Sequence, residues 1–139
     1  MSVNTDDLIE FAKSHIDTKD ETCLRAALSR AYYAMHHRAK DSVHHCSDIQ
    51  FKKGDGGSHL YLIKRFNTVN KKFHGQAKAR EISSLLSKAK RIREEADYEL
   101  NLTIPTFKLK MLIGFAEKLH KEAAALDSMH ESVSGSDTT

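Results

Sequence analysis

Proline and glycine are scarce in this chain, one and six in 139 residues. Most of them stand where an apolar-periodic stretch ends, which is how helices are punctuated. The two cysteines, Cys23 and Cys46, lack CxxC spacing, which argues against a disulfide framework and predicts free thiols in a reduced, cytoplasmic protein. No apolar run approaches the ~20 residues a membrane span needs, and Met1 to Asp7 is polar and acidic rather than basic and apolar like a signal peptide. A soluble protein with no membrane partner is expected. Alternating strand patterns and internal repeats are missing as well. Gly54-Asp55-Gly56-Gly57 has no following Lys-Ser/Thr, so it reads as a connection rather than a phosphate cradle.

What is present is helical periodicity. The spacing predicts a short helix opened by Thr5-Asp6-Asp7 and carrying Leu8, Ile9, Phe11, Ala12 and Ile16. A second runs from about Glu21 to His45, with Leu24, Ala27, Leu28, Ala31 and Met35 on its core face. A third starts at Ser58 and ends near Phe73 and Gly75, and a fourth runs from about Gln76 to Leu100, dense in Lys and Arg on its polar side. Pro105 suits the first turn of a fifth, which continues to about Met129. The expectation is an all-α, up-and-down bundle of about five helices over residues 1–130. The tail 131–139 is almost devoid of apolar residues and is expected to be disordered.

The second helix carries an unusual segment, Ser29-Arg30-Ala31-Tyr32-Tyr33-Ala34-Met35-His36-His37. At roughly 100° per residue, Arg30, Tyr33 and His37 share one stripe and His36 lies to its side. A guanidinium and an imidazole on one face can bind a phosphate and move a proton. On the fourth helix Arg93 and Asp97 stand at i, i+4 and can pair. Asp97 could instead cross to Arg30 and orient it.

SRAYYAMHH, followed by Arg93-Glu94-Glu95-Ala96-Asp97-Tyr98, resembles the small stand-alone SRAYYA branch of the HEPN superfamily, whose pattern S-R-A-Y-Y-A-x-x-H precedes R-x-x-A-D-Y. The likeness covers most of residues 20 to 125 as an order of helices, with specificity confined to the two motifs. It implies a helical bundle that pairs as a homodimer. It also implies a metal-independent endoribonuclease, a toxin or phage-defence effector, matched with a nucleotidyltransferase-type antitoxin. Carried over by position, Arg30 is the motif arginine and His37 its histidine. His36 also satisfies the spacing and is the alternative catalytic residue. Tyr33, Arg93, Asp97 and Tyr98 are supporting residues, the substrate is RNA, and no metal or cofactor is implied. The competing expectation is a non-catalytic adaptor that binds nucleotide, nucleic acid or the nucleotidyltransferase.

Other clusters read more plainly. His44, His45, Cys46, Asp48 and His59 resemble a ligand set only in composition, because adjacent histidines diverge on a helix and no CxxC accompanies them. A net charge of +3 is mildly basic and compatible with nucleic acid. Lys88, Lys90 and Arg91, together with Lys64 and Arg65, are the expected approach for an RNA backbone, and a solvated face is the simpler reading.

Overall fold

A computed structural model describes residues 2–45, 58–69 and 75–137, and side chains at 2–43, 59–69 and 75–129. Five helices follow in order: α1 (Thr5–Ser14), α2 (Glu21–His45), α3 (Ser58–Asn67), α4 (Gln76–Tyr98) and α5 (Phe107–Asp137). Among the described residues there is no strand. Among the described residues no helix is long and apolar enough to cross a membrane. The architecture is an all-α bundle.

Local chemistry sets the helix ends. The cap of α1 is Asn4, one residue ahead of the expected Thr5. Asn4 Oδ1 accepts the Asp7 N–H at 2.9 Å, and the Asp7 carboxylate accepts the Asn4 N–H at 3.0 Å. This reciprocal box satisfies two orphan donors, one more than a lone hydroxyl would. Asp20 caps α2 by accepting from the Thr22 and Cys23 amides, at 2.8 and 3.3 Å. Pro105 lies ahead of α5 rather than in its first turn, and its carbonyl accepts the Lys108 N–H at 3.1 Å. The third helix stops at Asn67, where the Thr68 hydroxyl bonds back to the Lys64 carbonyl at 2.9 Å. The rest of its expected length includes residues 70–74, which lie outside the described residues. The helix α5 runs on to Asp137, past its expected end near Met129, because no proline interrupts it.

The long helix α2 is the axis of the bundle and packs on α1, α4 and α5. Leu24, Leu28, Ala31, Tyr32 and Met35 are buried along it, against Ile82, Leu86 and Ala89 of α4 and Leu109, Leu112 and Leu119 of α5. Alanines at 27, 31 and 34 let neighbouring helices approach closely. Two arginines on α2 tie it to its neighbours. Arg38 pairs with Asp127 of α5 at 2.9 Å. Arg25 donates to the carbonyls of Ala96 (2.9 Å) and Glu99 (3.2 Å), and also to that of Leu102. Those carbonyls belong to the end of α4 and the turn after it, where the last four acceptors of a helix have no partner within the helix. Arg25 therefore holds the segment that carries Asp97 and Tyr98 against α2.

Candidate functional site

Because α2 is packed on α4 and flanked by α1, its polar segment is divided between two environments. Arg30 and His37 are exposed and Tyr33 is half-buried. With Asp41 they line a groove of about 630 Å³, whose other wall is the start of the chain, from Val3 to Leu8. Tyr33 is central, with the Arg30 guanidinium 5.9 Å from its ring centre and the His37 ring 6.3 Å away on centroids. Among the described residues neither Arg30 nor His37 has an ion-pair partner. The groove thus offers an unpaired guanidinium fork, an accessible imidazole and an aromatic face.

On the other side of Tyr33 lies a sheltered cluster. His36 is 7 % exposed and its ring sits 4.4 Å from that of His59, contributed by the start of α3. The Tyr32 hydroxyl meets His59 Nδ1 at 2.6 Å. Arg93, also buried, places its guanidinium over Tyr32 at 5.2 Å, Tyr98 at 5.7 Å and Tyr33 at 5.9 Å, and pairs with Asp97 at 3.3 Å. A guanidinium among three rings gains cation–π attraction while its charge stays neutralised by the carboxylate.

Burial sets the protonation of this cluster. It pushes His36 down to about 4, with further lowering from His59, His37, Lys40 and Arg93. His59 is lowered as well, first by burial, then by Arg93 and Lys90. Burial also holds the Tyr32 phenol well above the usual tyrosine range. At neutral pH both imidazoles are uncharged and Tyr32 keeps its proton, which fits a phenol O–H donating to His59 Nδ1. His36 Nδ1 and Arg93 Nε are buried without hydrogen-bond partners among the described residues. An imidazole that charges only near pH 4 is unsuited to donating a proton at neutral pH.

The structure therefore brings Arg30, Tyr33 and His37 together on one accessible face and places His36 in the interior. Asp97 pairs with Arg93 rather than with Arg30. Tyr98 is 71 % exposed, with Arg93 on one side of its ring. Lys88, Lys90 and Arg91 line a different groove, between α3, α4 and α5. The expected basic approach thus does not lead into the Arg30–His37 groove, and Lys64 and Arg65 line neither. Of the histidine- and cysteine-rich set, the His44 and His45 side chains, Cys46 and Asp48 lie outside the described residues. Among those described, no group of three or more His, Cys, Asp or Glu side chains could hold a metal ion.

Asp41 escaped sequence reading, and His59 was read only within the histidine- and cysteine-rich set, not beside His36. Asp41 continues the Arg30, Tyr33, His37 spacing by one more turn, so helical geometry alone would have found it. His59 carried no such signal, because only the packing of α3 on α4 brings it to His36. No protein-family model, no curated protein and no solved structure matches the chain.

Proposed function

We propose that the protein is a HEPN-like endoribonuclease, a toxin or defence effector acting as a homodimer, with Arg30 and His37 as its catalytic residues. One observation carries the reading: an unpaired arginine and an accessible histidine flank a tyrosine on one groove, while the adjacent His36 is buried. Arg30 holds the scissile phosphate in its fork and offsets the charge that builds up in the transition state. His37 takes the proton of the attacking ribose 2′-hydroxyl or gives one to the departing 5′-oxygen, the proton-shuttle role that an accessible imidazole can fill. The 2′-oxygen–phosphorus bond forms as the phosphorus–5′-oxygen bond breaks, leaving a 2′,3′-cyclic phosphate and a free 5′-hydroxyl. The chain supplies one His37 per protomer, so pairing two stripes provides both an acid and a base. Tyr33 stacks on a base or positions the phosphate.

Incubation of the purified protein with end-labelled RNA in the presence of EDTA tests this. Expected are fragments ending in cyclic phosphate, a loss of rate of about 100-fold or more in Arg30→Ala and His37→Ala, and retained cleavage in His36→Phe. Intact RNA, or a His37→Ala protein as active as wild type, would remove the nuclease reading.

A non-catalytic adaptor is the second reading, favoured by a specific feature: among the described residues His37 has ring contacts with Tyr33 and His36 and no hydrogen bond that orients its imidazole. Such an adaptor binds nucleotide, nucleic acid or a nucleotidyltransferase-type antitoxin through Arg30 and Tyr33. Thermal stabilisation by RNA or nucleotide without any cleavage supports it.

A further inference from the structure

The second groove has a shape that the bundle itself explains. Both α3 and α5 pack on α4, while among the described residues their backbones do not come close to each other. Between them on α4 lies a slot of about 610 Å³. Leu60 and Ile63 of α3 form one wall, Met111 and Phe115 of α5 the other, and Ile92 of α4 lies between them. Leu60 is 45 % and Met111 40 % exposed, so both walls keep apolar surface in water.

The charge around this slot has one excess sign. Lys90 is paired with Glu94, and Lys108 with Glu95 at 2.8 Å. Lys88 and Arg91 have no ion-pair partner among the described residues, and Lys88 Nζ stands 6.0 Å from the Phe115 ring centre. Two unpaired cations thus border an aliphatic trough.

We infer that this slot docks an amphipathic helix of a partner protein, its apolar stripe laid between α3 and α5 and its acidic flank facing Lys88 and Arg91. Helices pack at about 8–10 Å between axes, and a helix seated over α4 completes a layer that α3 and α5 leave open. Apolar anchors at i, i+3, i+4 and i+7 match a trough of leucine, isoleucine and methionine. RNA fits it poorly, because single strands are held by stacking on open aromatic faces and the one ring in the slot, Phe115, carries Lys88 against it. The inference stands independently of the nuclease reading, since no lining residue is shared between the two grooves.

The test uses the full chain and a fluorescein-labelled helical peptide with a leucine stripe flanked by glutamates. Its lysine-flanked counterpart and a single-stranded RNA oligonucleotide serve as competing probes. The acidic peptide is expected to bind, and the lysine peptide is not. Met111→Glu, with Leu60→Ser as a second and milder variant, should weaken binding about tenfold or more, equivalent to ~1.4 kcal/mol. The double charge reversal Lys88→Glu/Arg91→Glu should do the same and abolish its salt dependence. Lys64→Glu, a single charge reversal outside the slot, should leave affinity within about twofold. Equal binding of both peptides, or indifference to Met111→Glu and Leu60→Ser, overturns the inference. So does RNA bound in place of the acidic peptide and lost in Arg91→Glu. Self-association that Met111→Glu abolishes, without peptide binding, overturns it in favour of a second copy of the chain.

Discussion

The two sides of Tyr33 contain similar side chains in opposite circumstances. Towards α1, Arg30 and His37 stand in water with no ion-pair partner among the described residues. Towards α4, Arg93 and His36 are buried among aromatic rings, one paired with a carboxylate and the other left neutral. An arginine and a histidine make a reactive pair only where the guanidinium is free to receive an anion and the imidazole can change charge near neutral pH. The sheltered pair has given up both capacities and contributes packing instead. Adjacent histidines on one helix thus belong to different chemistries, because a helix turns roughly 100° between them.

The comparison breaks most visibly in stability. Tyr32→Ala, which empties a fully buried site and orphans His59, should cost about 3–5 kcal/mol in urea denaturation. Arg30→Ala, on the exposed side, should stay within about 0.5 kcal/mol. Comparable losses for the two would mean that the stripe is structural.

The next effect is pH dependence. His36 titrates near 4 in the folded chain and at ~6.5 when unfolded, so between those values the unfolded state binds more protons. Stability should therefore be level above about pH 6.5, fall by on the order of 3 kcal/mol as pH drops towards 4, and flatten below that. His59 and His120 are shifted the same way and deepen the slope. Thermal melts from neutral pH to pH 4.5 should show it, and His36→Phe should reduce it while raising stability at neutral pH, since it removes the unpartnered Nδ1. An unchanged slope in His36→Phe would place the titrating group elsewhere.

The smallest effect concerns the carboxylate that steadies Arg93. Asp97→Asn keeps the shape but removes the charge, and should cost about 1 kcal/mol in a thermal melt. A simultaneous change in RNA binding would show that Arg93 influences the Arg30 groove through Tyr33, which both guanidiniums face.

Much of this arrangement was legible without coordinates. The start of α2 follows from the cap Asp20 and its length from a run without glycine or proline, and the all-α architecture follows from apolar spacing in all five segments. The Arg93–Asp97 pair lies within one helix and needs only i, i+4 geometry. Helix ends governed by side-chain caps were less legible, since Asn4 and Thr5 are both acceptable caps and only the reciprocal bond to Asp7 chooses between them. The groups that come from another helix could not be read at all, as with His59 beside His36 and Arg25 beneath the end of α4.

The sequence by itself determined that Arg30, Tyr33 and His37 share a face and that His36 points elsewhere, because helical rotation is a local property of the backbone. Only the tertiary structure decided that the first face opens to solvent beside α1 while His36 is enclosed by Tyr32, His59 and Arg93. Burial depends on which helix packs where, and the shift of an imidazole to about 4 follows from that burial and not from its neighbours in the chain.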